Sequence, residues 1–344
     1  TVDDRTRATR IGHSALIAPG LDMLERWRGR GAVRASGLRA VRDTSPDSLV
    51  AAAAGQRPTV LFTMSHGQGA PAGGWMSDEE QRREQGAMSF GAGGQLAGHD
   101  LAGRAFLPGG VWFMFACFGA GTPVSSAYRH WLELLVRGGQ ESPEVLETAV
   151  DSLAVGGAPF IAALPKAALA SPDGPLAFVG HVDLAWSCSY LDVDDPDGRP
   201  RRRPGRFMSA VQAVLDGARF GNGLSALSRF LTEVDTELAA LSDREQAGYG
   251  QVSDRAVRRG HLWMTRHDLA AYVLLGDPAA RLPVARRASA ASERAALSQR
   301  AGAGPAPGAG QSAPVDPALL ARQEKAIGKV LSRQFTVARA ARDE

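Results

Sequence analysis

The chain has 344 residues, 44% apolar and 22% charged, so it can bury a sizeable core and lacks the composition of a disordered chain. Its 39 basic against 36 acidic residues leave a net charge of +3, and no long basic helix or interleaved aromatic run gives a nucleic-acid footprint. Two cysteines, Cys117 and Cys188, could close at most one bridge, which excludes a disulfide scaffold. No apolar run approaches the ~20 residues of a membrane helix, and no signal peptide opens the chain. A cytoplasmic α/β enzyme with no nucleic-acid or membrane partner is expected.

Taken in order, short apolar runs alternate with helical patterns, the rhythm of a parallel sheet with crossover helices. Leu21–Arg30 reads as a helix and Gly37–Val41 as a short strand. Ser45 as N-cap and Pro46 at the first helical position open an alanine-rich helix. Thr59–Met64 is a buried strand running into Ser65-His66-Gly67, and a Gly-rich excursion follows from Gln68 to Gly94, too irregular for an element interior. Gly110–Ala116 is the most apolar strand and ends at Cys117. Another strand, Leu176–Val182, runs on through Asp183 to Trp186. Asp192–Arg206 turns acidic, then basic, and reads as an exposed loop. Helices are predicted over Phe207–Gly217, Gly223–Leu241 and roughly Ser253–Leu262, and a last strand over Tyr272–Leu275. Ala, Ser, Gly and Pro then dominate up to Pro314, where Asp316-Pro317 caps an amphipathic stretch bearing Leu320, Ile327, Leu331 and Phe335. The expected organisation is a catalytic domain over residues 1–287, a linker over 288–315 and a docking helix over 316–344.

Two strands end in reactive side chains, His66 before Gly67 and Cys117 before Phe118-Gly119-Ala120-Gly121. In an open α/β sheet the carboxyl ends of the strands form the ligand crevice, so both groups would face one place. A thiol needs a base to become a thiolate near neutral pH, and imidazole suits that task. The N–H groups of Cys117 and Gly67 could hold the oxyanion of a tetrahedral intermediate. Taken singly, Cys117 also reads as a buried core cysteine and His66 as a hydrogen-bonded turn histidine. Two such strand ends in one sheet weigh against that.

These residues carry a resemblance. Strand–Ser65-His66-Gly67, strand–Ala116-Cys117-x-Gly119, Val179-Gly180-His181-Val182-Asp183-x-Ala185-Trp186 and Leu275-Gly276-Asp277-Pro278 occur in that order. The chain resembles the caspase–haemoglobinase clan of cysteine peptidases from about Asp4 to Pro283, above all its gingipain-like branch, and is also similar to the bacterial CHAT proteases. The resemblance implies a three-layer α/β sandwich with a mostly parallel sheet, with Cys117 as nucleophile and His66 as general base and acid. It also implies that the strand ending at Ala185-Trp186 pairs with the substrate backbone, Trp186 forming a wall of the S1 pocket. Arg- and Lys-cleaving members place an acid in S1. One branch has it two residues before the nucleophile, where this chain has Phe115; gingipains have it after the first strand, here near Asp3 and Asp4. Asp183 is a second candidate, and a structural ion pair is the alternative for it.

Remaining features read more plainly. His181 reads as a hydrogen-bonded structural histidine, with orientation of a catalytic group as the alternative, and no partner stands at zinc-ligand spacing to it. Gly91-Ala92-Gly93-Gly94 is not a dinucleotide fingerprint, because Leu96 takes the third glycine place. Arg199, Arg201, Arg202, Arg203 and Arg206 read as a solvated loop or a self-processing site, Cys188 as a bystander thiol, and Trp112, Trp131 and Leu134 as core. The expected function is a cofactor-free cysteine endopeptidase acting on a protein or peptide; a catalytically silent, caspase-like scaffold is the alternative. Because the chain opens on Thr1, a longer precursor is expected, its N-terminal strand docking beside Thr59–Met64 as a bound upstream fragment unless Ile11–Ile17 takes that place.

Overall fold

A computed structural model describes residues 4, 6–41, 45–55, 58–71, 73–139, 142–192, 200–248 and 252–284. The chain divides into two units, Thr1–Ala285 and Arg286–Glu344. The second lies outside the described residues, and with it the expected linker and terminal helix.

Helix α1 (Arg7–Gly12) is capped by the Thr6 hydroxyl, which accepts from the Thr9 N–H, and passes through a π-helical stretch, His13–Ile17, into α2 (Ala18–Gly29). Pro19 cannot donate an N–H, and the wide π turn lies directly before it, where a regular ladder would clash with its ring. Ile11–Ile17 is therefore helical and does not form a strand beside β1, the alternative that the sequence offered for it. Gly37–Val41, expected as a strand, is irregular. Next come α3 (Pro46–Ala53), capped by the Ser45 hydroxyl, and β1 (Val60–Met64). The Gly-rich excursion is more ordered than expected: it holds α4 (Asp78–Glu84), capped by Ser77, and the strand β2 (Met88–Ser89), which pairs with β3 (Gln95–Leu96). The acids at the front of α4 and arginines at its end complement the helix dipole, a pattern that the surrounding glycines obscure.

Strand β4 (Val111–Phe115) is followed by β5 (Gly121–Thr122), α5 (Arg129–Arg137), α6 (Pro143–Asp151), β6 (Phe160–Ile161) and α7 (Ala163–Ala170). Then come β7 (Ala177–His181), β8 (Leu191–Asp192), β9 (Arg201–Arg202), α8 (Gly205–Leu215), α9 (Phe220–Gln246), α10 (Val252–Ala270) and β10 (Tyr272–Gly276). The strand expected to reach Trp186 ends at His181, and the supposed exposed loop contains the β8–β9 hairpin.

The central sheet has the order β1-β4-β7-β10, the first three strands parallel and β10 antiparallel to β7. Alternate residues of β4 face opposite cores. Val111, Phe113 and Phe115 pack with Leu16, Phe207, Val211 and Phe220 beneath α2, α8 and α9. Trp112 and Met114 pack with Phe178, Leu49, Val50 and Leu164 beneath α3 and α7. Helices thus cover both faces of a mostly parallel sheet, which is why its strands read as continuous apolar runs. Among the described residues no helix is long and apolar enough to cross a membrane.

Trp112 is fully buried, its ring meeting Phe106 and Phe178 at 4.9 and 5.2 Å, and its Nε1–H donates to Thr63 at 2.8 Å. Trp112→Ala should cost about 3–5 kcal/mol in urea unfolding, through the cavity and the stranded Thr63 hydroxyl. Met76→Ala, at an 88% exposed position, should stay within about 0.5 kcal/mol of the parent.

Candidate active site

The register of the sheet builds the site. Met64 lies opposite Phe115 at the carboxyl ends of β1 and β4, and the Ser65 N–H donates to the Phe115 carbonyl at 3.2 Å. Ser65-His66-Gly67 and Ala116-Cys117 therefore leave the sheet side by side. A Cβ at Gly67 would run into the Cys117 carbonyl oxygen, so only glycine lets the two turns approach this closely. Gly67 also bridges to Met88, with Ser89 donating to the His66 carbonyl at 2.9 Å, which fixes the turn from its other side. Neither the Gly67 nor the Cys117 N–H is engaged by another described residue.

The turn after Cys117 is strained. Phe118 has φ +55°, a left-handed conformation rare for a bulky residue. Surrounding bonds impose it: the Phe118 N–H donates to the Asp183 carbonyl and the Ala120 N–H to the His181 carbonyl, each at 2.9 Å. Gly86, at φ +82°, lies so close beneath the Phe118 carbonyl that a side chain there would collide with it.

Thiol and imidazole each have a partner of their own. The half-buried Cys117 Sγ donates to the Ala185 carbonyl at 3.8 Å. Burial, with the charges of Asp268 and Asp183 adding to it, pushes the thiol pKa up to about 11. The His66 side chain is 41% exposed, and its Nε2 lies 2.9 Å from the Thr6 hydroxyl and 3.5 Å from the Asp4 carboxylate. Partial burial acts to raise the Asp4 pKa, but hydrogen bonds from the Thr9 hydroxyl at 2.7 Å and the Thr6 N–H at 3.0 Å, helped by the charge of His66, outweigh it and hold it below the usual value. Asp4, one of the expected S1 acids, is thus placed against the histidine; Asp3 lies outside the described residues.

The third wall comes from the chain beyond β7. Asp183 is buried, its carboxylate accepting from the Ser126 hydroxyl at 2.9 Å and the Leu184 N–H at 2.7 Å, and burial raises its pKa. It is therefore engaged with the Ser126 turn and, among the described residues, has no arginine partner. Ala185 turns toward the Cys117 thiol, whereas Trp186 packs on Tyr128, ring centroids 5.8 Å apart, in a small core with Leu132 and Leu135 of α5 and Met264 of α10.

Asp268 of α10, which the sequence reading did not single out, joins these pieces. It is fully buried and accepts from the Trp186 N–H at 2.9 Å and the Tyr128 hydroxyl at 3.4 Å, while the Cys188 thiol lies 3.8 Å away. His181 Nε2 is 3.1 Å from the same carboxylate, and its Nδ1 meets the Asp183 carbonyl at 2.7 Å. Burial acts to lower the His181 pKa, but the hydrogen bond and charge of Asp268 outweigh it and hold it raised. An acid on the same helical face as buried Leu262, Thr265 and Leu269 was the one sequence signal for this hub. Among the described residues no three His, Cys, Asp or Glu side chains are grouped to hold a metal ion.

Replacing Asp268 by Ala removes the buried acceptor that the His181 ring, the Trp186 N–H and the Tyr128 hydroxyl share, and should cost about 3–5 kcal/mol in urea unfolding. Gly67→Ala should weaken the fold and slow alkylation of Cys117 by displacing its turn; an unchanged protein would mean that the two turns do not pack as described. The chain matches no family model, no curated protein and no solved structure.

Proposed function

We propose that the protein is a cysteine endopeptidase of the caspase–gingipain kind, with Cys117 as nucleophile and His66 as general base and acid. The observation that carries this reading is the delivery of both side chains from adjacent parallel strand ends, with Gly67 seated on the Cys117 carbonyl. With Nε2 of His66 held by Thr6 and Asp4, Nδ1 is the nitrogen that takes the thiol proton. Asp4 then acts as a positioning residue for the imidazole.

Sγ attacks the scissile carbonyl as the proton moves to His66, and the oxyanion is received by the N–H groups of Gly67 and Cys117. Collapse breaks the C–N bond, His66 protonates the leaving amine, and a thioester remains on Cys117. Water, deprotonated by His66, cleaves that thioester and returns the thiol. An extended substrate would lie along Leu184–Trp186, with Trp186 as a wall of the P1 pocket and Asp183 as a candidate acid beside it. Its pairing there would compete for the Ala185 carbonyl that the resting thiol occupies. A scaffold that binds a peptide without cutting it is the second reading, and the parked, neutral thiol is the observation that favours it.

Cys117→Ala and His66→Ala should each abolish cleavage of a casein or peptide-library substrate, and Cys188→Ala should keep most of it. Cleavage by the Cys117→Ala protein would refute the dyad; binding without cleavage by the parent would establish the scaffold. Without substrate, alkylation of Cys117 by iodoacetamide follows the thiolate. With a pKa of about 11, only about one thiol in ten thousand is ionised at pH 7. The alkylation rate should therefore rise about tenfold per pH unit from 7 to 10, and a plateau near pH 7 would contradict the neutral resting thiol.

A further inference from the structure

A cleft of about 250 Å3 opens between the β8–β9 hairpin and helices α9 and α10, and neither Cys117 nor His66 lines it. Its hairpin wall carries Arg201 and Arg203, α8 contributes Arg206, and α10 contributes Arg258 and His261. The reading of the arginine run as a solvated loop holds for Arg201 and Arg202, which are exposed, but not for Arg206; Arg199 lies outside the described residues. Arg206 is only 5% exposed, and its Nη1 donates to the carbonyls of Cys188 and Ser189, each at 3.2 Å, and pairs with Asp192 at 3.0 Å. Its Nε is buried and has no acceptor among the described residues. A buried guanidinium donor without a partner is rare in folded interiors and marks a place where an acceptor is wanted.

The charges around Arg206 define that acceptor. Asp192 is shared, because it also pairs with Arg203 at 2.6 Å, and Glu237 pairs with Arg258. Arg201 is exposed and engaged by no acceptor among the described residues. The cleft thus sets four guanidinium groups against three carboxylates, those of Asp192, Glu233 and Glu237. That balance attracts one compact anion and repels a long polyanion, whose further charges would meet the glutamates. The planar guanidinium fork matches a carboxylate or phosphate oxygen pair.

We propose that this cleft is a binding site for a small oxyanion, a phosphate or carboxylate group of charge −1 or −2, with Arg206 as its floor and Arg201 as its outer clamp. The Cys188 and Ser189 carbonyls that Arg206 holds belong to the 3-10 turn Ser187–Ser189 directly after Trp186.

The test is calorimetric titration of the full chain with sodium orthophosphate and with sodium succinate, against sodium chloride at matched ionic strength. Saturable binding of at least one of the two is expected, and the tighter arm identifies the phosphate or the carboxylate source. Arg201→Glu, an exposed substitution that should leave folding intact, should weaken that binding about tenfold or more, the loss of a charge-assisted hydrogen bond. Arg137→Glu on α5, outside the cleft, should leave it unchanged. Absence of saturable binding in both arms would overturn the proposal. So would an Arg201→Glu protein that binds as the parent does, or an equal loss in Arg137→Glu, which would mean diffuse surface attraction.

Discussion

The pairing of β1 with β4 governs everything at the candidate site. Parallel strands of equal register end at the same level, so the turns that follow them must emerge together. Parallel pairing in turn demands crossover connections, and these supply the helices that bury both faces of the sheet. A slip of one residue would send Trp112 and Phe113 to the wrong cores, and the same slip would separate His66 from Cys117. Packing of the core and assembly of the site are therefore one constraint, and Gly67 is where it is tightest.

The second constraint acts from the far side of β7. Helix α10 sends one carboxylate, Asp268, into a space with no solvent, and it is satisfied by the His181 ring, a backbone N–H and a phenol. This arrangement fixes Trp186 and, through the Asp183 carbonyl, the strained turn at Phe118. The chain spanning Asp183–Trp186 is held by side chains and single bonds instead of a strand ladder. Such a segment keeps backbone groups available to a ligand while its position stays set.

Much of this was legible in the sequence, for identifiable reasons. Apolar runs over Thr59–Met64, Gly110–Ala116 and Leu176–Val182 marked the sheet, within a residue or two of β1, β4 and β7, because strands buried on both faces carry no alternation. His66-Gly67 and Cys117 stood out because reactive side chains at strand ends are a local pattern. Gly37–Val41 misled because a few β-favouring residues without a paired neighbour do not make a strand. Asp268, Thr6 and the burial of Arg206 were hidden for another reason: each depends on partners brought in from distant sequence, 82 residues away for Trp186 and Asp268 and 60 for Thr6 and His66. The arginine run in particular reads as solvent-facing until Asp192 and the Cys188–Ser189 carbonyls are placed around it.

The central claim is that Cys117 becomes a nucleophile when an extended peptide occupies the segment beside it. Intact-mass analysis after incubation with a library of peptides carrying thiol-reactive warheads tests it directly and reads P1 preference in the same experiment. The account predicts a single adduct on Cys117, formed far faster with some P1 residues than with the bare warhead, and absent from the His66→Ala protein. Adducts that form first on Cys188, or on Cys117 at one rate whatever peptide is attached, would contradict it.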